Sequence, residues 1–244
     1  KLWFVAWASK ADECPVKHDR SEKPSECPVA HNSGSANAMI EMSREGGNCT
    51  SENNPSNQMP SLSQMPSRGQ RMPLPTHRVE STIPKGDFKP SHQLEGKANW
   101  TYPSPQQFYN AMKRKGYQPK EEDMQSVVAI HNTVNEKTWK KVMEWEKMHL
   151  DKCPNPRLEK FSGRANDQSL KARINTWMGY RPPFDRHDWV VDRCGKKVRY
   201  VIDFYTGPSM TGMPLSIHLD VRPAADSFGA IWDRVRVGIF GKPS

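Results

Sequence analysis

Aromatic side chains are distributed very unevenly along the chain, and this distribution decides where a folded core can form. Of the 22 Trp, Tyr and Phe residues, 18 fall between residues 100 and 244. Residues 1–99 contain Trp3, Phe4, Trp7 and Phe88 and are otherwise dominated by Ser, Asn, Pro, Gln, Glu and Lys. Such a segment cannot bury enough apolar surface to offset the entropy lost on ordering. We therefore predict a disordered arm over residues 1–98, including a Pro/Ser/Met-rich linker, and one folded domain over residues 99–244.

The predicted arm contains the pattern Cys-Pro-Val-x-His twice, at residues 14–18 and 27–31. Proline disfavours helix around the cysteine and keeps its thiol on an extended, accessible segment. A thiolate is one of the few side chains that hold haem iron axially. The repeat makes Cys14 and Cys27 candidate ligands of haem iron, although Cys and His at this spacing could also hold zinc.

Charge is concentrated in the predicted folded domain. Residues 1–99 carry 12 basic and 11 acidic side chains, whereas residues 100–244 carry 24 basic and 16 acidic ones. This excess favours an anionic partner, which could be a nucleic acid, acidic lipid headgroups or the two propionates of haem.

The cysteine count and the hydropathy pattern argue against a disulfide-rich protein and against a membrane-spanning one. Five cysteines in 244 residues, without any CxxC, argue against a disulfide scaffold and against a tetrahedral zinc site. No apolar run approaches the about 20 residues of a membrane span. The apolar residues 2–8 are too short for the core of a signal peptide, and no location follows from them.

Hydrophobic spacing predicts helices followed by a small antiparallel sheet and a last helix, which is an α+β fold in one domain. Ser104 and Pro105 are typical of a helix start, and Gly116 of its end. Residues 188–194 and 197–205 predict a β-hairpin turning at Gly195 and Lys196, with a third strand at 216–221. Further helices are expected near residues 122–132, 135–150 and 169–178. The helix at 169–178 is expected to turn four apolar residues inward, Leu170, Ile174, Trp177 and Met178. A last helix is expected after Pro223, carrying Phe228, Ile231, Trp232 and Val235.

His131 is the sharpest single candidate for chemistry. It falls on the apolar face of a predicted helix, one turn beyond Val127 and Val128. An apolar wall with one imidazole is what a haem face needs, because dispersion holds the porphyrin and a ring nitrogen can bind iron. The alternative is an ordinary histidine with a satisfied hydrogen bond.

Other residues allow both a functional and a structural interpretation. His187 lies between Asp185 and Asp188 and could act as an acid or base, but no Ser or Cys nucleophile is paired with it. Arginines could pair with haem propionates or with nearby aspartates. The aromatic residues could stack on a flat ring or fill the core. The residues concerned are Arg186, Arg193, Arg199, Trp100, Tyr102, Trp139, Trp145, Trp177 and Trp189.

Taken in order, these motifs resemble the cytochrome c-type haem lyase family, also called holocytochrome c synthases. The resemblance begins with the Cys-Pro-Val motifs and covers essentially residues 100–240. Its main pieces are Trp-Thr-Tyr-Pro-Ser-Pro from 100, Phe-Tyr-Asn-Ala-Met from 108, Ile-His-Asn from 130, Asn-Glu at 135, Trp139 to Glu146, Trp-Met-Gly-Tyr from 177, Pro-Phe-Asp-Arg-His-Asp-Trp from 183, Arg-Cys-Gly from 193, Arg-Tyr-Val-Ile-Asp-Phe-Tyr from 199 and Asp-Val-Arg-Pro-Ala from 220.

The resemblance implies an enzyme that joins the vinyl groups of haem b to the thiols of a Cys-x-x-Cys-His motif in apocytochrome c. It implies a location in the mitochondrial intermembrane space, peripheral on the inner membrane, and leaves cytochrome c1 open as a second substrate. His131 matches the haem-ligating histidine, and Trp100 a haem-contact position. Glu136 and Arg193 match other important positions; we add His187 as a catalytic candidate and Trp139 and Arg199 as haem-binding candidates.

Two other classes of protein remain as alternatives at this point. A non-catalytic haem sensor or chaperone would use the Cys-Pro-Val arm and yield no thioether product. A nucleic-acid binder would use the basic domain, but the chain has no recognised binding motif, so we expect no nucleic-acid partner.

Overall fold

A computed structural model describes residues 62–87, 93, 96–164, 166–207 and 216–241 of the chain. It contains four helices, α1 (Pro105–Arg114), α2 (Met124–Glu146), α3 (Leu170–Trp177) and α4 (Phe228–Phe240). The described strands are β1 (Glu80–Pro84), β2 (Asn99–Thr101), β3 (Arg157–Gly163), β4 (Asp185–Arg193), β5 (Lys196–Thr206) and β6 (Ile217–Pro223). Helices and antiparallel strands occur together, which confirms the α+β prediction.

The strands form two antiparallel sheets. β1 pairs with β2 in a two-stranded ribbon, and β3, β4, β5 and β6 pair in that order in a four-stranded sheet. The hairpin between β4 and β5 turns at Cys194 and Gly195, whose φ angles are 48° and 91°. A two-residue turn with positive φ at both positions matches the twist of the strands. The predicted hairpin is confirmed, but its turn lies one residue earlier than expected.

Helix α2 is the central element of the fold. One side of it packs on the four-stranded sheet in a core that includes Val142, Trp145, Tyr200 and Val221. At its N-terminal end it packs on α1 in a second core cluster around Phe108, Met112, Met124 and Val128. The prediction of two helices in this region is wrong. Asn132, Thr133 and Val134 are modest helix formers, but Val134 is buried and tertiary packing outweighs that weak preference.

Packed backbone extends N-terminal to Trp100, into residues that the sequence assigned to the arm. Tyr102 donates a backbone hydrogen bond to the carbonyl of Val79, and β1 buries Ser81 and Ile83. The carboxylate of Glu121 accepts hydrogen bonds from the backbone N–H groups of Arg71 and Met72 at 2.5–3.0 Å. The folded part therefore begins before residue 99. The division into an arm and a catalytic domain otherwise stays a prediction.

Helix α3 turns its large apolar side chains outward. Leu170, Ile174, Trp177 and Met178 are all exposed, with Trp177 at 88%. The buried residue of this helix is Ala172. The prediction that the four large residues point inward is wrong, because the small side of the helix packs on the protein.

One disulfide joins Cys153, after the end of α2, to Cys194 in the β4–β5 turn, with the two Cα atoms 5.6 Å apart. It connects the C-terminal end of the central helix to the sheet. Within the described part of the chain, no helix is long and apolar enough to cross a membrane.

Candidate functional site

A mostly apolar cavity lies between the β1–β2 ribbon and the four-stranded sheet. It encloses about 460 Å³ of empty space, part of it open to solvent. Small-molecule sites are typically apolar with a few convergent polar groups, and the wall of this cavity has that composition. The lining residues are Ile83, Gln93, Trp100, Thr101, Tyr102, Pro103, Asn135, Leu158, Phe161, His187 and Trp189.

Three polar atoms on the cavity wall are buried without a hydrogen-bond partner among the described residues. They are Oγ1 of Thr101, Nε2 of His187 and Nε1 of Trp189. An unmade hydrogen bond at a buried polar atom is costly, so such groups are rare in native proteins. Their position on one cavity is what a site for a ligand with polar substituents requires.

His131 lies beside this cavity, on the turn of α2 that precedes Asn135. It is 5% exposed, and its Nε2 is 3.1 Å from Nδ2 of Asn135. The ring packs edge-on against Phe108, with centroids 5.2 Å apart. Burial lowers the pKa of His131 to about 3, and the charge of His187 adds to that effect. The imidazole is therefore neutral at physiological pH, the state that binds iron.

His187 lies on the cavity wall, on the core-facing side of β4. Its Nε2 is 3.2 Å from Oδ2 of Asp185, but the angle is outside that of a hydrogen bond, and both atoms lack a partner in the described part of the chain. The ring also packs edge-on against Phe204 at 5.0 Å between centroids. The structure thus brings the two predicted histidines within electrostatic range of each other, with His187 on the cavity wall and His131 beside Asn135, which lines it.

Lys115 is a basic residue of this region that the sequence did not single out. Burial lowers its pKa to about 8, the charge of Arg114 lowers it further, and the carboxylate of Asp185 acts in the opposite direction. Lys115 therefore lies within electrostatic reach of the Asp185–His187 pair. Its position in the sequence does not indicate a functional role, because the consecutive basic residues Lys113, Arg114 and Lys115 at the end of a helix would ordinarily all be exposed to solvent.

Trp100 forms part of the cavity wall and is held rigidly. Its Nε1 donates a hydrogen bond to the carbonyl of Leu158 at 3.0 Å, and its ring packs edge-on against Phe161 at 5.2 Å between centroids. Tyr102 and Trp189 line the same cavity, whereas Trp139 and Trp145 are core residues away from it. Of the predicted aromatic candidates, the structure places Trp100, Tyr102 and Trp189 at the site and leaves Trp139 in the core.

Glu136 connects α2 to the β1–β2 ribbon. Its carboxylate accepts hydrogen bonds from Ser81 Oγ at 2.7 Å, Tyr102 Oη at 2.9 Å and the backbone N–H and hydroxyl of Thr82. Burial raises the pKa of Glu136, but these hydrogen bonds outweigh it and hold the pKa below its usual range. The ionised carboxylate therefore fixes the cavity wall that Tyr102 forms.

Arg193 lies far from the cavity, at the opposite end of β4. Its guanidinium makes two hydrogen bonds to Glu146, at 2.7 and 2.9 Å, and Tyr200 donates to the same carboxylate at 2.6 Å. Positions 187 and 193 are six residues apart on one strand, a separation of about 20 Å. The structure thus gives Arg193 a buried ion pair that anchors the end of α2, and does not bring it to His131.

Arg199 lies on the other face of the sheet. Its side chain bridges Asp188 and Asp226, both at 2.8 Å, and Arg186 also binds Asp188. These arginines pair with local aspartates, one of the two alternatives that the sequence left open. Cys14 and Cys27 lie outside the described residues. Among the residues that are described, no cluster of three or more His, Cys, Asp or Glu side chains could hold a metal ion.

A mostly apolar cavity with His187 on its wall defines a candidate small-molecule site. The family model for cytochrome c/c1 heme lyase matches residues 5–237, so the chain belongs to this family. No solved structure matches the chain significantly.

Curated relatives give the same family. The holocytochrome c-type synthase of Gallus gallus is 49% identical over 189 residues, covering 75% of this chain and 66% of the relative, slightly less than two thirds. A putative holocytochrome-c1 synthase of Schizosaccharomyces pombe is 52% identical over 163 residues, covering 66% of this chain and 74% of the relative. The holocytochrome-c synthase of Saccharomyces cerevisiae is 39% identical over 258 aligned positions, covering 94% of this chain and 87% of the relative.

Proposed function

We propose that this protein is a lyase that attaches haem b covalently to apocytochrome c. The match to the haem lyase family along residues 5–237 is the observation that carries this proposal. In the reaction, the S–H of each cysteine in a Cys-x-x-Cys-His motif adds across one vinyl group of haem. Sulfur bonds to one vinyl carbon and the proton goes to the other, so no external oxidant is required.

The cavity is the proposed haem site. Trp100, Tyr102 and Trp189 would contact the porphyrin, and the unpartnered Trp189 N–H would find an acceptor there. His131 would hold iron as one axial ligand, which its neutral state permits. The histidine of the substrate motif would take the other axial position and set both thiols beside both vinyl groups. Such positioning can supply roughly 7–11 kcal/mol of the barrier.

Basic groups near the histidines would help to activate the thiols. A free cysteine has a pKa of about 8.5, so only a small fraction is thiolate at neutral pH. Positive charge from Lys115, which lies within electrostatic reach of Asp185, would raise that fraction, and His187 is the basic residue on the cavity wall. Glu136 and Arg193 act in this scheme as positioning residues, since both are bound to other parts of the protein.

Location and a second substrate complete the proposal. The Cys153–Cys194 disulfide fits an oxidising compartment such as the mitochondrial intermembrane space, where the protein would associate with the inner membrane. The likeness to a protein named as a putative holocytochrome-c1 synthase supports cytochrome c1 as a further substrate.

Co-expression with an apocytochrome c in a host without its own maturation system tests the activity. After a denaturing gel, haem stain that stays on the cytochrome is the expected result. His131→Ala should abolish this product, whereas His77→Ala, which alters an exposed histidine, should not. A normal haem content and product yield for His131→Ala would refute the role of His131, and haem bound but never transferred would indicate a sensor or chaperone.

The two Cys-Pro-Val motifs are proposed to capture haem in an auxiliary role. Replacing Cys14 and Cys27 by Ala should then leave cytochrome maturation largely intact when haem is plentiful. Complete loss of product in that double variant would show instead that the motifs are central to the reaction.

A further inference from the structure

Helix α4 presents its most apolar stripe to solvent. Phe228, Ile231, Trp232, Val235 and Ile239 are all exposed, with Phe228 at 86% and Trp232 at 61%. Their spacing of three and four residues places them on one face of the helix. A surface helix normally turns such a stripe toward the core, whereas α4 turns it toward solvent.

The opposite face of α4 packs on the protein through Val237, which contacts the main hydrophobic core, and through small and polar side chains. Ala230 and Asp233 are its buried residues. Asp233 lies 2.9 Å from Nε2 of His149, and Arg234 donates a hydrogen bond to the carbonyl of Pro223 at 2.6 Å. These contacts fix which face points outward, so the exposed stripe is not a consequence of a loosely attached helix.

Helix α3 has the same arrangement. Leu170, Ile174 and Trp177 form an exposed stripe, with Leu170 at 71%. Lys171 and Arg173 are exposed on either side of it, about 100° and about 60° away from Leu170 around the helix in opposite directions. An apolar stripe with aromatic residues and flanking cations is the signature of a helix that lies in a membrane interface.

The two helices are neighbours on the protein. Ser169, which caps α3, accepts a hydrogen bond from Arg222, and Lys171 pairs with Asp220 at 2.8 Å. Arg234 of α4 lies within electrostatic range of the same Arg222 and Asp220. Both helices therefore adjoin one polar cluster around Arg222 and Asp220.

A basic cleft borders the stripe of α3. Lys141, Lys171, Arg181 and His218 line it, together with Asn175, Tyr180 and Tyr205, and Asp220 is its acidic member. The cleft holds about 1040 Å³ of space, part of it open solvent. Positive charge beside an exposed apolar surface complements the phosphate groups of an anionic lipid layer.

We propose that the outward faces of α3 and α4 form a docking surface for a membrane that contains anionic phospholipid. This inference deepens the membrane association included in the proposed function and rests on it. The charge pattern selects the occupant, because a second copy of this chain would bring cations against cations. The exposed apolar stripes of α3 and α4 indicate a mode of binding in which the helices lie in the membrane interface.

Vesicle co-flotation of the full chain tests the surface. Wild-type protein should bind vesicles of phosphatidylcholine with about 20–30% cardiolipin, because surface potential rises with anionic lipid, and should bind pure phosphatidylcholine more weakly. Ile231→Ser with Trp232→Ser should lower the partition coefficient by about tenfold or more, since each removes a large apolar contact. Trp177→Ser should lower it independently, and Arg173→Gln with Arg181→Gln should weaken the preference for anionic lipid.

Met65→Ser is the matched control, because Met65 is an exposed apolar residue outside both helices. Circular dichroism melts should show that all variants fold, and synthase activity on dissolved apocytochrome c should be retained, which separates this surface from the proposed catalytic function. Unchanged vesicle binding by the α3 and α4 variants would overturn the proposal. The proposal would also be overturned if wild-type protein did not bind vesicles and instead formed a dimer that Trp232→Ser dissociates.

Discussion

Burial determines the charge state of His131, and this has a measurable consequence for stability. In the unfolded chain the histidine takes up a proton near its ordinary pKa of 6.5, whereas in the fold it does so only near 3. Between these two values the unfolded state binds more protons, so acid favours unfolding by about 1.4 kcal/mol per pH unit. The contribution is absent above pH 6.5 and grows as the pH falls toward 3.

The comparison of wild type with His131→Gln isolates this effect. We expect the free energy of unfolding of wild type to fall relative to the variant by roughly 2–3 kcal/mol between pH 7 and pH 4.5. Urea unfolding at several pH values measures it, with His77→Gln as the control that removes an exposed histidine. Parallel pH curves for wild type and His131→Gln would contradict the buried, neutral state.

Arg193 offers a second test at the level of a residue. Arg193→Met leaves the carboxylate of Glu146 buried without its ion-pair partner, which should cost about 3–5 kcal/mol of stability. Adding Glu146→Gln removes the unpaired charge, so the double variant should recover part of the loss. Thermal melts and haem attachment should fall and recover together. Normal stability with lost activity would instead give Arg193 a direct role in the reaction.

At the scale of elements, Glu136 is the connection between α2 and the β1–β2 ribbon. Glu136→Ala removes the acceptor for Ser81, Thr82 and Tyr102, and charge-assisted hydrogen bonds contribute about 1.5–3 kcal/mol each. We expect a loss of roughly 3 kcal/mol and faster hydrogen exchange in β1, measured by mass spectrometry. Lys140→Ala, an exposed change on the same helix, should alter neither quantity. Unaltered exchange in β1 of the Glu136 variant would show that the ribbon is held by other contacts.

Local signals predicted some elements well and others not at all. Ser104 caps α1 with the reciprocal bonds that its sequence indicates, because capping depends on residues four positions apart at most. Strand β2 is three residues long, too short for a periodic pattern, and its position is set by pairing with β1 and by distant Leu158. Periodicity in α3 and α4 correctly grouped the apolar residues but could not say which face points inward, since that depends on what lies beneath.

Some residues of the candidate site were likewise predictable from the sequence, and others were not. His131 and His187 are 56 positions apart and meet because α2 and β4 pack in one domain; the family resemblance pointed to His131, and local composition drew attention to His187. Arg193 follows His187 by six positions on β4, yet a strand is extended and carries it away from the cavity. The pKa of Lys115 is lowered mainly by burial, which no local pattern reports.

For the whole molecule, the Cys153–Cys194 disulfide closes a loop of 41 residues between the end of α2 and the sheet. Constraining a loop of this length should stabilise the fold by about 4 kcal/mol in the chain-entropy model. Cys153→Ser with Cys194→Ser should therefore lower the urea midpoint, and a reductant should do the same to wild type. Cys49→Ser is the control. If the urea midpoint of wild type did not change with reductant and a non-reducing digest gave no cross-linked peptide, the Cys153–Cys194 disulfide would be excluded.

Helix α2 also fixes the spacing between the two ends of the molecule that it connects. Between His131 and Glu146 it counts fifteen steps, which set a distance of about 22 Å and a fixed rotation between the cavity end and the ion-pair end. Side chains along the outer surface of this rod can vary without altering either quantity. Deleting one residue cannot be absorbed in the same way, because it turns the two ends by about 100° relative to each other. The family should therefore tolerate substitution between these positions far more readily than any change in their number.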